Sequence, residues 1–263
     1  MLAGNLEKII LIGAGNLAWH IGPALQDAGY TILQVYNRSV EPAKMLAESL
    51  GVKWTMDAES MDPQAEILLF CITESAIPEI FCRIESKKKP MMVHTSGSVP
   101  MDVFQGIARE YGVLYPLMTF TKGRSLNFHS VPVCIEGNTS GSNAILEKMA
   151  RGISNRVYKI DSKQRMVLHL AGIVASNFSN HMFHLSSDFL EDKGIDFELL
   201  KPLIKETASK ALEMDPAAAQ TGPASRNDAD IIRDHIDLLK DNPELQKLYT
   251  FVSDSITNHF KAK

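Results

Sequence analysis

The sequence predicts an α/β protein in two parts, a doubly wound sheet domain over residues 1–160 and an all-helical domain over 161–263. Three observations carry that expectation. Lys8-Ile9-Ile10-Leu11-Ile12 is a short apolar run ending in Gly13-Ala14-Gly15-Asn16-Leu17-Ala18, and Leu17, Ile21, Leu25 and Ala28 then recur at the spacing of one helical face. Short apolar runs alternate with amphipathic segments as far as Ile160. Beyond Asp161 no strand candidate follows.

In the opening strand, turn and helix, each small residue has a mechanical job. Gly13 permits the sharp turn, Gly15 leaves room for a pyrophosphate against the backbone, and Ala18 lets the helix pack closely on the strand. The first amides of the helix, at its positive dipole end, face the phosphates. The unit reads as a dinucleotide-binding turn, against the plainer reading of a glycine-rich connector, with Gly13, Ala14, Gly15, Asn16, Leu17 and Ala18 as its expected contacts.

Thr31 to Tyr36 reads as the second strand and ends in Asn37-Arg38-Ser39. A site for NAD carries an acid here for the ribose 2′-hydroxyl, and none is present. Asn37 does not repel a phosphate, Arg38 can pair with one through its planar fork, and the Ser39 hydroxyl can donate a further bond. The expectation is NADP, against the plainer reading of Arg38 as a surface-loop cation.

Pro42 to Leu50 forms a helix closed by Gly51, and Val52-Lys53-Trp54 a short strand. Ile67 to Ile72 is apolar on both alternating sets of positions, the mark of a central parallel strand covered on both faces. Its carboxyl end, Ile72 and Thr73, is expected beside the cofactor, although Thr73 can equally cap the next helix. After a strand at Met91-Met92-Val93, the loop His94-Thr95-Ser96-Gly97-Ser98 suits the nicotinamide ribose or a substrate oxygen. Its plain alternative is a polar turn in which Ser98 caps a helix entered through Pro100. Val113 to Phe120 reads as a sixth strand that Pro116 demotes to an edge or a bulge. Val131 to Ile135, a helix over Ser140 to Ile153, and Arg156 to Ile160 complete this half.

Asp161 with Gln164 fits a capping box opening a helix that runs to about Lys193 and stops at Gly194. Some 30 helical residues reach about 45 Å, so the helix spans a cleft or packs against a second subunit. His169 and Asn177, eight apart, share one side of it. The histidine can lend a proton and the amide can orient a substrate oxygen, against the plain reading of His169 as a hydrogen-bonded junction residue. His181 and His184 lack a third ligand, so no metal site is expected. Helices over Asp196 to Leu212, Asp228 to Leu239 and Pro243 to Phe260 flank a breaker-rich loop. In that loop Arg226 can bind a substrate carboxylate or make an inter-helix ion pair.

A formal net charge of −4 leaves no electrostatic footprint for nucleic acid, and Lys87-Lys88-Lys89 reads as a solvated loop. Cys71, Cys82 and Cys134 show no Cys-x-x-Cys spacing and an odd count, which favours a reducing compartment. Met1-Leu2-Ala3-Gly4-Asn5 lacks a basic region, so no secretory leader is expected, and Ile67 to Ile72 is too short to span a bilayer. A cytoplasmic protein without membrane contact follows.

The sequence resembles a family of NADP oxidoreductases with a Rossmann-like N-terminal half and a helical C-terminal domain of unknown function. That family is similar to pyrroline-5-carboxylate reductase and, more distantly, to the 6-phosphogluconate dehydrogenase superfamily. The residues that carry the resemblance are Gly13 through Ala18, His94 through Ser98, Pro116 through Phe120, His169 through Phe178, and Thr221-Gly222-Pro223 with Arg226 and Asp228. It implies NADP binding, a two-domain subunit and a homodimer joined through the helical half. Tyr115 stands where the family pattern has His and Asn227 where it has Gly. The dehydrogenases place a catalytic Lys ahead of the Asn, whereas His169 and Ile173 occupy those turns here. The leading expectation is a hydride-transferring enzyme for a small carbonyl or imine compound, with His169 and Asn177 at the reacting bond and Ser96, Tyr115 and Arg226 binding substrate. The alternative is a dimer that holds NADP as a sensor or scaffold without turnover.

Overall fold

The computed structural model describes residues 7–77, 80 and 89–261. Cys82, Lys87 and Lys88 lie outside the described residues. The chain divides into two compact units, Met1–Asn177 and Phe178–Lys263.

The described residues of the first unit hold one sheet built from β1 (Lys8–Ile12), β2 (Thr31–Tyr36), β3 (Lys53–Thr55), β4 (Ile67–Phe70), β5 (Met91–His94), β6 (Tyr111–Pro116), β7 (Val133–Gly137) and β8 (Val157–Lys159). The spatial order is β3-β2-β1-β4-β5-β6-β7-β8. Strands β1 to β6 are parallel, β7 is antiparallel to β6, and β8 is parallel to β7. The first six positions therefore follow the doubly wound order that reverses between β1 and β4, and that reversal opens a crevice at the carboxyl ends.

Burial explains why these runs form strands. Ile9, Ile10, Leu11 and Ile12 are fully buried, and each contributes about 2 kcal/mol relative to exposure. Ile9, Leu11 and Leu69 join one core with Ile21, Leu25 and Leu46, while Ile10, Ile12, Leu68 and Phe70 join another with Phe104 and Ile77. Both faces of β1 and β4 are thus covered, as the unbroken apolar runs require. Helix α1 (Ala18–Asp27) buries Ala18, Ile21, Gly22 and Leu25, and α2 (Val40–Leu50) closes on Gly51 in the left-handed region at φ 68°. Helix α3 (Ser140–Ile153) opens with a capping box made by Thr139 and Ser142.

Two details differ from the sequence reading. Strand β6 is an interior strand, with all six residues buried between β5 and β7. Pro116 is tolerated because it is the last residue of the strand, paired with Val133, and the ladder passes to the Leu117 amide, which donates to the Pro132 carbonyl at 2.8 Å. Gly112 is required in this strand because a β-carbon there would strike the Glu136 carbonyl oxygen on β7. Beyond Pro100 the chain makes only a short 3₁₀ turn, Met101–Phe104.

Helix α4 (Ser162–Gly172) opens on the expected box: the Gln164 amide donates to Asp161 Oδ1 at 2.8 Å, and the Asp161 amide donates to Gln164 Oε1 at 3.0 Å. It passes into a π-helical turn, Ile173–Phe178. The described residues of the second unit hold helices and the loops between them and no strand, with α5 (Ser179–Glu191), α6 (Lys201–Glu213), α7 (Pro216–Ala219), α8 (Ala229–Leu238) and α9 (Pro243–Lys261). Asn227 sits at φ 56°, a left-handed position that explains the glycine of the family pattern and that Asn tolerates.

An ion pair buried in the first unit fastens α4 to the sheet. Arg165, 1% exposed, donates to Glu136 Oε2 at 2.5 Å and to the Val99 carbonyl at 2.6 Å. Ser162 donates its amide to Glu136 Oε1 and its hydroxyl to Glu136 Oε2, and accepts from the Met101 amide. Replacing Arg165 by Met leaves the carboxylate without its cation, and we expect a loss of about 3 kcal/mol. Urea unfolding should show a lower midpoint at unchanged slope, whereas an unmoved midpoint would show that the pair adds nothing.

Candidate functional site

The crevice at the β1/β4 reversal is a cleft of about 380 Å³ lined by Gly13 to Leu17, Tyr36 to Arg38, Cys71 to Thr73 and Ile80. The two glycines of the turn do different work. Gly13 has φ 108°, and a β-carbon on it would lie 2.5 Å from the Cys71 carbonyl oxygen, so the turn packs against the end of β4. Gly15 is exposed, and a β-carbon there would meet nothing nearer than the Cys71 oxygen at 4.0 Å. Space is therefore kept over Gly15 itself. No side chain caps the N-terminus of α1 and no acid stands in its first turn, so its amide end opens on that space. These features fit a pyrophosphate.

Asn37, Arg38, Ile72 and Thr73 reach the same cleft. Asn37 spends its amide nitrogen on the Ser39 carbonyl at 3.0 Å, shaping the turn after β2, and Ser39 stands at the N-cap of α2 outside the lining. Ala18 is fully buried and packs the helix rather than lining the cleft. Burial pushes the Cys71 thiol up to about 12, so this wall of the cleft is uncharged.

The loop after β5 stands behind the Cys71 wall of this cleft and does not line it. The His94 ring is fully buried against Phe104, with centroids 5.8 Å apart, and its Nδ1 accepts from the Ser96 amide at 3.2 Å. The Thr95 hydroxyl donates to the Phe70 carbonyl at 3.0 Å. The Ser96 hydroxyl oxygen accepts from the amides of Ser98 and Val99. It is Ser96 rather than Ser98 that caps this turn.

A second cavity in the first unit, about 310 Å³, is lined by Tyr115, Leu117 to Thr119 and α4 with its π turn: His169, Gly172, Ile173 and Ala175 to Asn177. His169 and Asn177 therefore do share a pocket. An α-helix winds about 100° per residue, which would carry a residue eight positions on about 80° past alignment. The wider π turn winds less per residue and brings the two nearly into line. Tyr115 Oη lies 3.1 Å from His169 Nδ1, with the rings edge to face. Gly97 rests on both, since a β-carbon there would lie 2.5 Å from His169 Nδ1 and 2.9 Å from Tyr115 Cζ.

Sequence reasoning missed two features. A groove of about 620 Å³ runs along the outer side of α1, between Trp19, His20, Asp27 and the segment Gly123–His129, away from both cavities. The segment between β6 and β7 also reaches the glycine turn: the Lys122 amide donates to Asn16 Oδ1 at 3.3 Å, and its ammonium sits 4.1 Å over the Trp19 ring. Neither leaves a periodic signal in the chain. Arg226 lies exposed in the second unit, in the turn Ala224–Arg226. Among the described residues no group of three or more His, Cys, Asp or Glu side chains is arranged to hold a metal ion, and no helix is long and apolar enough to cross a membrane.

The reversal point, the glycine turn and the uncapped helix define a dinucleotide-binding protein of Rossmann type with a helical second half. The family profile described as NADP oxidoreductase, coenzyme F420-dependent, matches residues 8–96, and a domain of unknown function, DUF2520, matches residues 131–256. A crystal structure from Bacteroides fragilis, described provisionally as an NADP oxidoreductase, is 41% identical with a TM-score of 0.91, covering 96% of this chain and 98% of that one. The chain belongs to this NADP oxidoreductase family. A 1-pyrroline-5-carboxylate reductase from Streptococcus pyogenes shares the fold at 13% identity and a TM-score of 0.63, covering 97% of this chain and 100% of that one. Among curated proteins, shikimate dehydrogenase (NADP(+)) of Xylella fastidiosa is 47% identical over 45 residues, a match spanning 17% of this chain and only 16% of that protein.

Replacing Gly97 by Ala should force the His169 ring away from Tyr115 and cost about 1–3 kcal/mol through overpacking. A crystal structure of the variant checks this; an intact 3.1 Å contact between the two rings would show that the turn has slack.

Proposed function

We propose that this chain is an NADPH-linked reductase of a small carbonyl or imine compound. The observation that carries the reading is the convergence, in one cleft, of the open glycine turn with Asn37 and Arg38 and without an acid at the end of β2. Gly13 to Leu17 hold the pyrophosphate, Arg38 pairs with the 2′-phosphate through charge-assisted hydrogen bonds, and Ile72 and Thr73 line the path toward the nicotinamide. NADPH supplies the hydride. His169 is the source of the proton, Asn177 orients the reacting oxygen or nitrogen, and Tyr115 binds substrate from the end of β6. The imine half of the substrate class is supported by the fold shared with pyrroline-5-carboxylate reductase.

The working form is a cytoplasmic homodimer. Val167, Leu170 and Val174 follow one another along one face of α4 and its π turn, each more than half exposed in the single chain, while Arg165 and Leu168 take the opposite face to the sheet. An apolar stripe of this kind needs a partner.

Replacing Arg38 by Ala should weaken NADPH by roughly 2 kcal/mol, about thirtyfold in Kd, and leave NADH nearly unchanged. Fluorescence titration of both nucleotides decides this, and equal weakening would place 2′-phosphate recognition elsewhere. Hydride transfer from labelled NADPH to a panel of small aldehydes, ketones and cyclic imines tests turnover; nucleotide binding with no transfer to any of them would favour the sensor. Sedimentation velocity should find a dimer that Leu170→Glu converts to monomer, and a monomeric parent chain would remove the stripe as an interface.

A further inference from the structure

Resting on that reading, we infer that Tyr115 is the group that hands the proton to the substrate, with His169 behind it as the partner that recharges its hydroxyl. The pair lies at the carboxyl end of β6, the edge of the sheet where ligands of this fold bind. Tyr115 belongs to a buried strand and is itself only 8% exposed, yet it lines the 310 Å³ cavity. Its hydroxyl is the atom that meets His169 Nδ1 at 3.1 Å. The other lining residues are Leu117, Met118, Thr119, Gly172, Ile173, Ala175, Ser176 and Asn177, none of which titrates near neutral pH. Among the described residues that line this pocket, the tyrosine and the histidine are the ones that carry an acidic proton.

The surroundings fix the pair rather than merely tolerate it. Gly97 presses on Nδ1 and Cζ together, so the turn after β5 covers the contact. Arg165, one turn before His169, is tied to Glu136 on β7 and to the Val99 carbonyl of that same turn. The other titratable and charged groups on the elements around the pair are Cys134 on β7, facing Tyr115 across the ladder, the Arg165–Glu136 pair, the buried His94, Tyr111 at the start of β6 and Lys163 in the first turn of α4. Burial pushes the Cys134 thiol up, with Arg165 opposing, so it stays neutral near pH 7.

The step balances simply. As a C=O or C=N carbon gains the hydride, the heteroatom takes the Tyr115 proton: its new O–H or N–H bond forms while the tyrosine O–H bond breaks. The phenolate then takes a proton from His169 in its imidazolium form: the Nδ1–H bond breaks, the tyrosine O–H bond re-forms, and solvent returns a proton to the neutral ring. Substrate contact thus falls to a hydroxyl held by a buried strand, while the imidazole supplies the proton that restores it.

The test uses the full chain with NADPH and the carbonyl and imine panel. Tyr115→Phe should lower kcat/KM a hundredfold or more while NADPH binds within twofold of the parent, and should abolish the pH dependence contributed by His169. His169→Gln should fall similarly, and the double variant no further than the slower single one, because the two act as a unit. Tyr115→Phe within threefold of the parent, or multiplicative losses in the double variant, would overturn the inference while leaving the oxidoreductase reading intact. A parent chain that binds NADPH and reduces nothing would remove that reading and this one with it. Independently of turnover, the His169 imidazole followed by NMR against pH in the nucleotide-free protein should shift its midpoint on Tyr115→Phe; an unmoved midpoint means that the two rings are not coupled.

Discussion

The constraint on which the rest of the first unit depends is the burial of one full charge, the Arg165 guanidinium, against Glu136. Taking these ions out of water costs several kcal/mol each, so the arrangement persists only with its partners in place. Those partners are spread along the chain: a carboxylate on β7, a carbonyl from the loop after β5, and the serine that opens α4. Satisfying one cation therefore fixes three segments at once. Because the same helix carries His169 one turn later, a demand of electrostatics becomes a decision about where an imidazole stands.

A division of labour runs through both cavities. At the nucleotide cleft Gly13 serves packing and Gly15 serves space, and Ala18 and Ser39 support the elements rather than the opening. At the second cavity His94, Thr95 and Ser96 direct hydrogen bonds into their own turn and the end of β4, and that turn in turn braces Tyr115 and His169 through the bare backbone of Gly97. Polar residues gathered near a sheet edge thus sort into those that face the opening and those that hold the wall.

What was legible in the sequence follows the range of the interaction that encodes it. The β1 turn, the α2 stop at Gly51 and the Asp161/Gln164 box are local, and each reads from a few neighbouring residues. The parallel core strands read from continuous apolar runs. Pro116 misled because the rule against proline applies to a strand's interior donors, and here it closes the strand. The Arg165–Glu136 pair could not be read, since two charges 29 positions apart look like any solvated surface charges until the fold brings them together. The spacing of His169 and Asn177 placed both only on one broad side of a helix; the π turn that brings them to one pocket left no signal in the sequence.

The reversal of β7 has a consequence for how such a protein diversifies. Because β6 ends and β7 begins on the same edge of the sheet, the excursion Leu117–Pro132 leaves and returns without crossing the core. Its early residues wall the pocket beside Tyr115, and its middle touches the glycine turn at Asn16. Lengthening or recomposing its exposed middle, Thr121 to Ser125, would reshape the surroundings of both cavities while the strands beneath retain their register. Phe128 and Val131, which the same detour sends into the core, set the limit to that freedom.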